Sequence, residues 1–165
     1  MNVVTSRRQP GSTFKPFSYA YAMSKLPVSP DTPVYDVDTD FGTWSPDNYD
    51  GKFMGRMSLR TALDNSRNIP AIKMFLYAGG ADPIAKFVQS IGIDSMTYGR
   101  KPDSSMALGG KEVKPIEMAQ AYSVFANGGW YREITPLVKI EDVSGNIIYE
   151  TIQDNTKKAT LTFSE

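Results

Sequence analysis

Proline and glycine partition this chain into short helical stretches, and the partition is sharpest at Arg8-Gln9-Pro10-Gly11-Ser12-Thr13-Phe14-Lys15-Pro16-Phe17. The Pro-Gly pair breaks the backbone, and a helix-like run, Ser18 to Leu26, follows at once. Ser12 therefore falls at or next to a helix N-terminus, where backbone N–H groups and the positive end of the dipole favour developing negative charge. Lys15 is three residues on and shares that helix face. Two readings of Ser12 stand side by side. It is an ordinary N-cap with a solvated lysine one turn later, or it is a nucleophile with Lys15 as its base, if burial or a nearby cation lowers the amine's pKa.

The same punctuation places the other elements. Phe14, Phe17, Ala20, Tyr21 and Leu26 form one face of a first helix, predicted to be central and buried and to end at Pro27. Pro16 lies within its first turns, where the missing N–H has little to lose. Val3 and Val4 read as the end of a strand leading to Pro10, and Pro33–Val37 and Phe41–Trp44 as short strands. Trp44–Gly51 is a loop closed by Asp50-Gly51. Ser58 caps a second helix that ends at Asp64-Asn65-Ser66. Pro70 opens a third, Ala71 to Ala78, closed by Gly79-Gly80, so Ser66 and Asn68 fall in a short connection between helices. Asp82-Pro83 opens a fourth helix that ends at Gly92, residues 93–114 are loop, and Pro115 begins a fifth that ends at Asn127-Gly128-Gly129. Its aromatics and Met118 read as core. Pro136–Val143 and Ile147–Thr151 form a hairpin about Ser144-Gly145-Asn146, and a polar tail follows from Gln153.

Composition narrows the chemistry. The 165 residues suffice for one domain with a core, and 18 basic residues balance 18 acidic ones, which argues against electrostatic binding of nucleic acid. Neither cysteine nor histidine occurs, so histidine-based triads, thiol chemistry and most zinc sites are excluded. No metal or organic cofactor is expected. No apolar run could span a bilayer and no signal peptide stands at Met1, so the chain by itself reads as soluble.

The stretch Arg8–Phe17 resembles the first motif of the penicillin-binding protein transpeptidases in their bifunctional, class A form. Ser66-Arg67-Asn68, between Leu59-Arg60-Thr61-Ala62-Leu63-Asp64-Asn65 and Ile69-Pro70-Ala71, is similar to the second motif, Ser-x-Asn. Trp44–Gly51, Ala107-Leu108-Gly109-Gly110 with Glu117–Gly129, and the hairpin are similar to further stretches of that family, in order, from Arg7 to about Glu150. The resemblance implies an α+β, β-lactamase/transpeptidase-like fold. Residues 1–152 would be a partial domain, mainly its helical part with a C-terminal hairpin, and residues 153–165 a polar tail.

It also implies a peptidoglycan D,D-transpeptidase working through a serine acyl-enzyme. Ser12 would be the nucleophile, Lys15 its base, Ser66 a proton carrier to the leaving amine, and Asn68 the holder of the substrate amide and of Lys15. The Ser12 N–H would form half of an oxyanion hole. Partners would be stem peptides ending in D-Ala-D-Ala, β-lactams, and the remainder of the domain or other cell-wall synthesis proteins. The whole protein would sit at the extracytoplasmic face of the bacterial cytoplasmic membrane. Arg67 receives no role.

The family's third motif, Lys-Thr-Gly or Lys-Ser-Gly, does not occur in this sequence. The chain thus reads as cut at both ends, with part of its core uncovered, marginal stability alone, and acylation slowed by ~10²–10³ for want of one oxyanion donor. A non-catalytic β-lactam or stem-peptide sensor, and an inactive structural fragment, are the competing classes.

Overall fold

In a computed structural model, residues 2–42, 44–97 and 101–151 are described. The middle of the molecule is helix α1 (Lys15–Lys25), entered through a 3-10 turn at Gly11–Phe14. Of the face read from the apolar spacing, Phe14, Phe17 and Ala20 are buried and Tyr21 and Leu26 half-buried, and Tyr19 and Ala22, outside that face, are buried as well. Pro16 falls in the first turn and Leu26 is already extended ahead of Pro27, the conformation a following proline imposes. Against α1 pack α3 (Asn68–Tyr77) and α4 (Ala81–Ser90). Ile69, Ala71, Ile72, Met74 and Phe75 of α3 are all buried, so this helix is apolar over most of its circumference and lies inside the core. Helix α5 (Pro115–Ala126) closes the other side. Phe17 lies between Phe125 and Tyr122 at centroid distances of 5.3 and 5.0 Å, contacts that contribute ~0.5–1.5 kcal/mol per pair beyond burial.

Helices α2 (Leu59–Asp64), α3, α4 and α5 all end in one way. The residue after the cap donates to the carbonyl three positions back, and the next donates to the carbonyl five positions back: Gly79 to Leu76 and Gly80 to Phe75, Gly92 to Gln89 and Ile93 to Val88, Gly128 to Phe125 and Gly129 to Val124. The first residue of each pair must take a positive φ, hence Gly79, Gly92 and Gly128. In α2 the same two bonds run from Ser66 to Leu63 and from Arg67 to Ala62, and the position is filled by Ser66 at φ +52°. Among the described residues Ser66 alone, glycine aside, has a positive φ.

Strands β1 (Pro33–Asp36) and β2 (Gly55–Ser58) form an antiparallel pair, Pro33 opposite Ser58 and Asp36 opposite Gly55. Strands β3 (Lys139–Glu141) and β4 (Ile147–Glu150) form the expected hairpin, its first strand shorter at both ends than Pro136–Val143 and its second ending one residue early. All its strand residues are exposed, including Ile147, Ile148 and Tyr149, so nothing in the described chain covers either face.

Several expectations are corrected. Val3 and Val4 lie in a turn, not a strand end, because Asn2 draws the next backbone groups onto its own side chain and carbonyl; only Arg8 pairs, in a bridge to Val113. Phe41 and Trp44 are not in a strand: the Phe41 N–H closes a turn onto the Trp44 carbonyl, and β1 pairs with β2 instead. Thr43 and residues 152–165, including the tail, lie outside the described residues. Helix α3 begins at Asn68, three residues early, since Pro70 is tolerated at its third position. Helix α4 begins at Ala81, with Gly80 as its cap. The loop 93–114 contains 3-10 turns at Ser95–Thr97 and Ser104–Leu108.

Candidate active site

Ser12 is the second residue of the 3-10 turn, and the position before that turn is Pro10, which caps nothing with its side chain. The N-cap reading of Ser12 therefore falls away. Its side chain is exposed and takes no hydrogen bond among the described residues. As second residue of the turn, its N–H has no intrahelical acceptor. The turn is held from behind. Gly11 N–H donates to the Gly109 carbonyl at 3.2 Å, and the Gln9 amide donates to the Gly110 carbonyl at 3.1 Å. A Cβ on Gly109 would stand 2.1 Å from the Gly11 carbonyl oxygen, so only glycine permits this approach. Tyr122 of α5 donates its hydroxyl to the Thr13 carbonyl at 2.7 Å.

Lys15 begins α1 and turns inward, 1% exposed. Its amine does not bond to Ser12. It donates to the Ser66 carbonyl at 2.6 Å and to Asn68 Oδ1 at 2.8 Å, with Ser66 Oγ at 3.2 Å. Burial, helped by the positive charge of Arg67, lowers its pKa from the ordinary 10.5 to about 8. A neutral amine has two N–H groups and one lone pair. Two carbonyl oxygens, which can only accept, take the N–H groups, and the lone pair is left for a hydroxyl proton. Ser66 and Asn68 reach Lys15 from the junction of α2 and α3, and Ser66 is itself exposed. The exposed Ser66 hydroxyl thus stands beside the buried amine, while Ser12 lies one turn earlier along the chain.

Asn68 is fixed at three points. Its Oδ1 faces Lys15, its Nδ2 donates to the Asp47 carbonyl at 2.7 Å, and its backbone N–H donates to Asn48 Oδ1 at 2.7 Å. Asn48 in turn donates to Asp36 Oδ1 at 2.8 Å. Asp36, fully buried at the end of β1, receives Arg67 Nε at 2.8 Å and the Met54 N–H at 3.0 Å on its other oxygen. Arg67 completes its fork on Asp50 Oδ2 at 3.0 Å and on the Lys52 carbonyl. The loop between β1 and β2 is thereby tied to the second motif. Among the described residues no group of three or more His, Cys, Asp or Glu could hold a metal ion.

A family model described as the penicillin binding protein transpeptidase domain matches residues 1–165. The chain belongs to this transpeptidase-domain family. Penicillin-binding protein 1A of Neisseria meningitidis is 38% identical over 152 residues, which are 87% of this chain and 18% of that protein. The crystal structure of penicillin-binding protein 1A from Haemophilus influenzae matches with a TM-score of 0.79 at 34% identity, over 94% of this chain and 23% of that one. The structure of PonA1 from Mycobacterium tuberculosis in complex with penicillin V matches with a TM-score of 0.81 at 22% identity, over 91% of this chain and 43% of that one, a likeness of fold. The chain spans about a fifth of the length of the curated relatives it matches. Its fold is the α+β fold of the penicillin-binding protein transpeptidase domains.

Within this transpeptidase-domain chain the structure joins three of the four residues singled out from sequence, Lys15, Ser66 and Asn68, and sets Ser12 one turn away. Sequence reading missed Asp36, Asn48 and Arg67. The signal was present only in part: Arg67 sits inside the motif, but nothing local marks an aspartate 31 residues earlier as its partner. Among the described residues no helix is long and apolar enough to cross a membrane.

Proposed function

We propose that this chain carries the acylating part of a peptidoglycan D,D-transpeptidase site, with Ser12 as nucleophile, Lys15 as base, Ser66 as proton relay and Asn68 as holder of the substrate amide and of Lys15. The observation that supports this most is the Lys15 amine: buried, poised near neutrality, and shared between two residues of a motif 51 and 53 positions on. A surface lysine has no need of such a cradle, whereas a general base does.

Ser12 Oγ attacks the carbonyl carbon of the penultimate D-alanine as its proton passes to the Lys15 lone pair. The oxyanion forms beside the Ser12 N–H. Collapse breaks the peptide bond, and the departing D-alanine amine takes a proton from Lys15 through the Ser66 hydroxyl. A side-chain amine of a second stem then attacks the Ser12 ester and loses its proton to the same lysine, which passes it to Ser12 Oγ as the ester bond breaks, so that the serine hydroxyl and the neutral amine are both restored. A β-lactam carbonyl meets the same serine, but its leaving amine stays tethered and the ester persists. In this reading the whole protein works at the outer face of the cytoplasmic membrane, where stem peptides are found, and the exposed hairpin meets further parts of its domain.

The test is incubation of the purified chain with a fluorescent penicillin, followed by intact mass, beside Ser12→Ala. One penicillin per chain, absent from Ser12→Ala, is the expected result. No adduct, or an adduct that survives the substitution, overturns the proposal.

A further inference from the structure

Resting on the roles given above to Ser12 and Lys15, we propose that Arg67 is a positioning residue, which from beneath the second motif locks Ser66 and Asn68 into the cradle that orients the Lys15 amine. Arg67 lies between the two residues that supply all three oxygens around that amine. Its side chain points away from them into the interior and is buried. Every polar contact it makes there is to an element before α2: Asp36, Asp50 and the Lys52 carbonyl. From Asp36 the bonding returns through Asn48 to the backbone N–H of Asn68, the next residue. The tripeptide is therefore gripped twice, once by the Arg67 side chain and once at the Asn68 backbone, through one shared buried carboxylate.

That grip has something to resist. Ser66 holds a left-handed backbone conformation that glycine holds at the equivalent ends of α3, α4 and α5. A conformation sparsely populated by serine persists only where its surroundings over-determine it. The bonds from Arg67 side chain and Asn68 backbone do so on the C-terminal side of Ser66. Three separate nitrogens, Nε, Nη1 and Nη2, reach acceptors spread across the width of the guanidinium, a span that the single nitrogen of an ammonium cannot cover. Charged groups on the elements packed against α1 and the second motif are Arg67, Asp36 of β1, Asp47 and Asp50 of the following loop, Arg60 and Asp64 of α2, Lys73 of α3, Asp82 and Lys86 of α4, and the Asp103–Lys111 pair. Of these, Arg67 is the one that acts directly on the amine, and it disfavours the protonated form.

The experiment measures penicillin acylation from pH 6 to 10 together with the Lys15 titration midpoint by NMR of labelled lysine, in the wild-type chain, Arg67→Lys and Arg67→Met. Arg67→Met is expected to raise the Lys15 midpoint from about 8 towards 10.5 and to cut acylation at pH 7 by ~10-fold or more, part of which returns at pH 9. Arg67→Lys keeps the charge and loses the fork, so the midpoint stays near 8 while acylation still falls severalfold at every pH. Asp50→Asn removes one half-exposed contact and serves as the variant that keeps the fold; a severalfold fall with an unchanged melting temperature is expected.

Wild-type rates and midpoints in Arg67→Met overturn the proposal. So does a loss in all three variants that tracks only the folded fraction, with the midpoint unmoved in Arg67→Met. If the wild-type chain forms no Ser12-dependent adduct, the functional reading fails by itself. The Lys15 midpoint and the Asn68 side-chain amide shift still decide whether Arg67 holds the cradle.

Discussion

The Lys15 amine should titrate far below an ordinary lysine, and its titration should appear in both chemistry and stability. With a pKa of about 8, roughly one-tenth of the amine is neutral at pH 7, against roughly one part in 3,000 at 10.5. Acylation through a neutral Lys15 should therefore rise ~10-fold per pH unit up to about 8 and level off above it. In the folded state the proton leaves near pH 8, in the unfolded state near 10.5, so between those values the unfolded chain binds more protons. Folding stability consequently climbs with pH across that window and is lowest, as far as Lys15 is concerned, below pH 8. The full relief is at most ~3 kcal/mol before solvent screening and ~1–2 kcal/mol after it. Urea unfolding at pH 7 and pH 10 of the wild type and Lys15→Met isolates this term, since the other lysines and the tyrosines titrate in both. The difference between the two proteins should move by that amount in favour of the wild type at pH 10. NMR of lysine labelled at Cε and Nζ, with Lys15→Met to assign the signal, reads the midpoint directly. A midpoint at 10 or above, with no differential stability change, would refute the reasoning.

Two further outcomes follow from the backbone. Ser66→Gly relieves the positive φ at the end of α2 and should stabilise the chain by ~1 kcal/mol, about 2–4 °C in melting temperature, while removing the proposed relay and lowering acylation at least ~100-fold. A variant that melts lower than wild type would count against the strain assigned to Ser66. Gly109→Ala drives a methyl into the Gly11 carbonyl and should cost ~3 kcal/mol or more with loss of penicillin labelling. Gly145→Ala at the open hairpin tip, also at positive φ, should cost ~1 kcal/mol and leave labelling intact. Equal effects at the two glycines, read by thermal melting and labelling, would remove the close approach from the account of the Ser12 turn.

Helices were legible because their signals are local. Ser58 accepts the Thr61 N–H at 3.1 Å as a capping serine should, and the glycines that close α3, α4 and α5 stand where the breaks were read. The strand at Phe41–Trp44 was misplaced for the opposite reason. An extended dipeptide pattern says nothing of its partner, and β1 found its partner at Gly55–Ser58, beyond the loop that Asn48 and Asp50 organise. The alternative reading of Ser12 as an N-cap fails because a 3-10 turn precedes α1 and carries the serine within it.

For the site, spacing and residue type pointed to Ser12, Lys15, Ser66 and Asn68, since a serine, an amine at i+3 and a Ser-x-Asn between helices are all visible along the chain. Whether the amine is a base was decided elsewhere. Its pKa depends on burial and on a guanidinium brought beside it, and that guanidinium is held by a carboxylate 31 residues away. Identity and order along the chain set which groups are available. Desolvation, charge and hydrogen-bond direction act through space at a few ångströms, so only the packed chain sets what those groups can do.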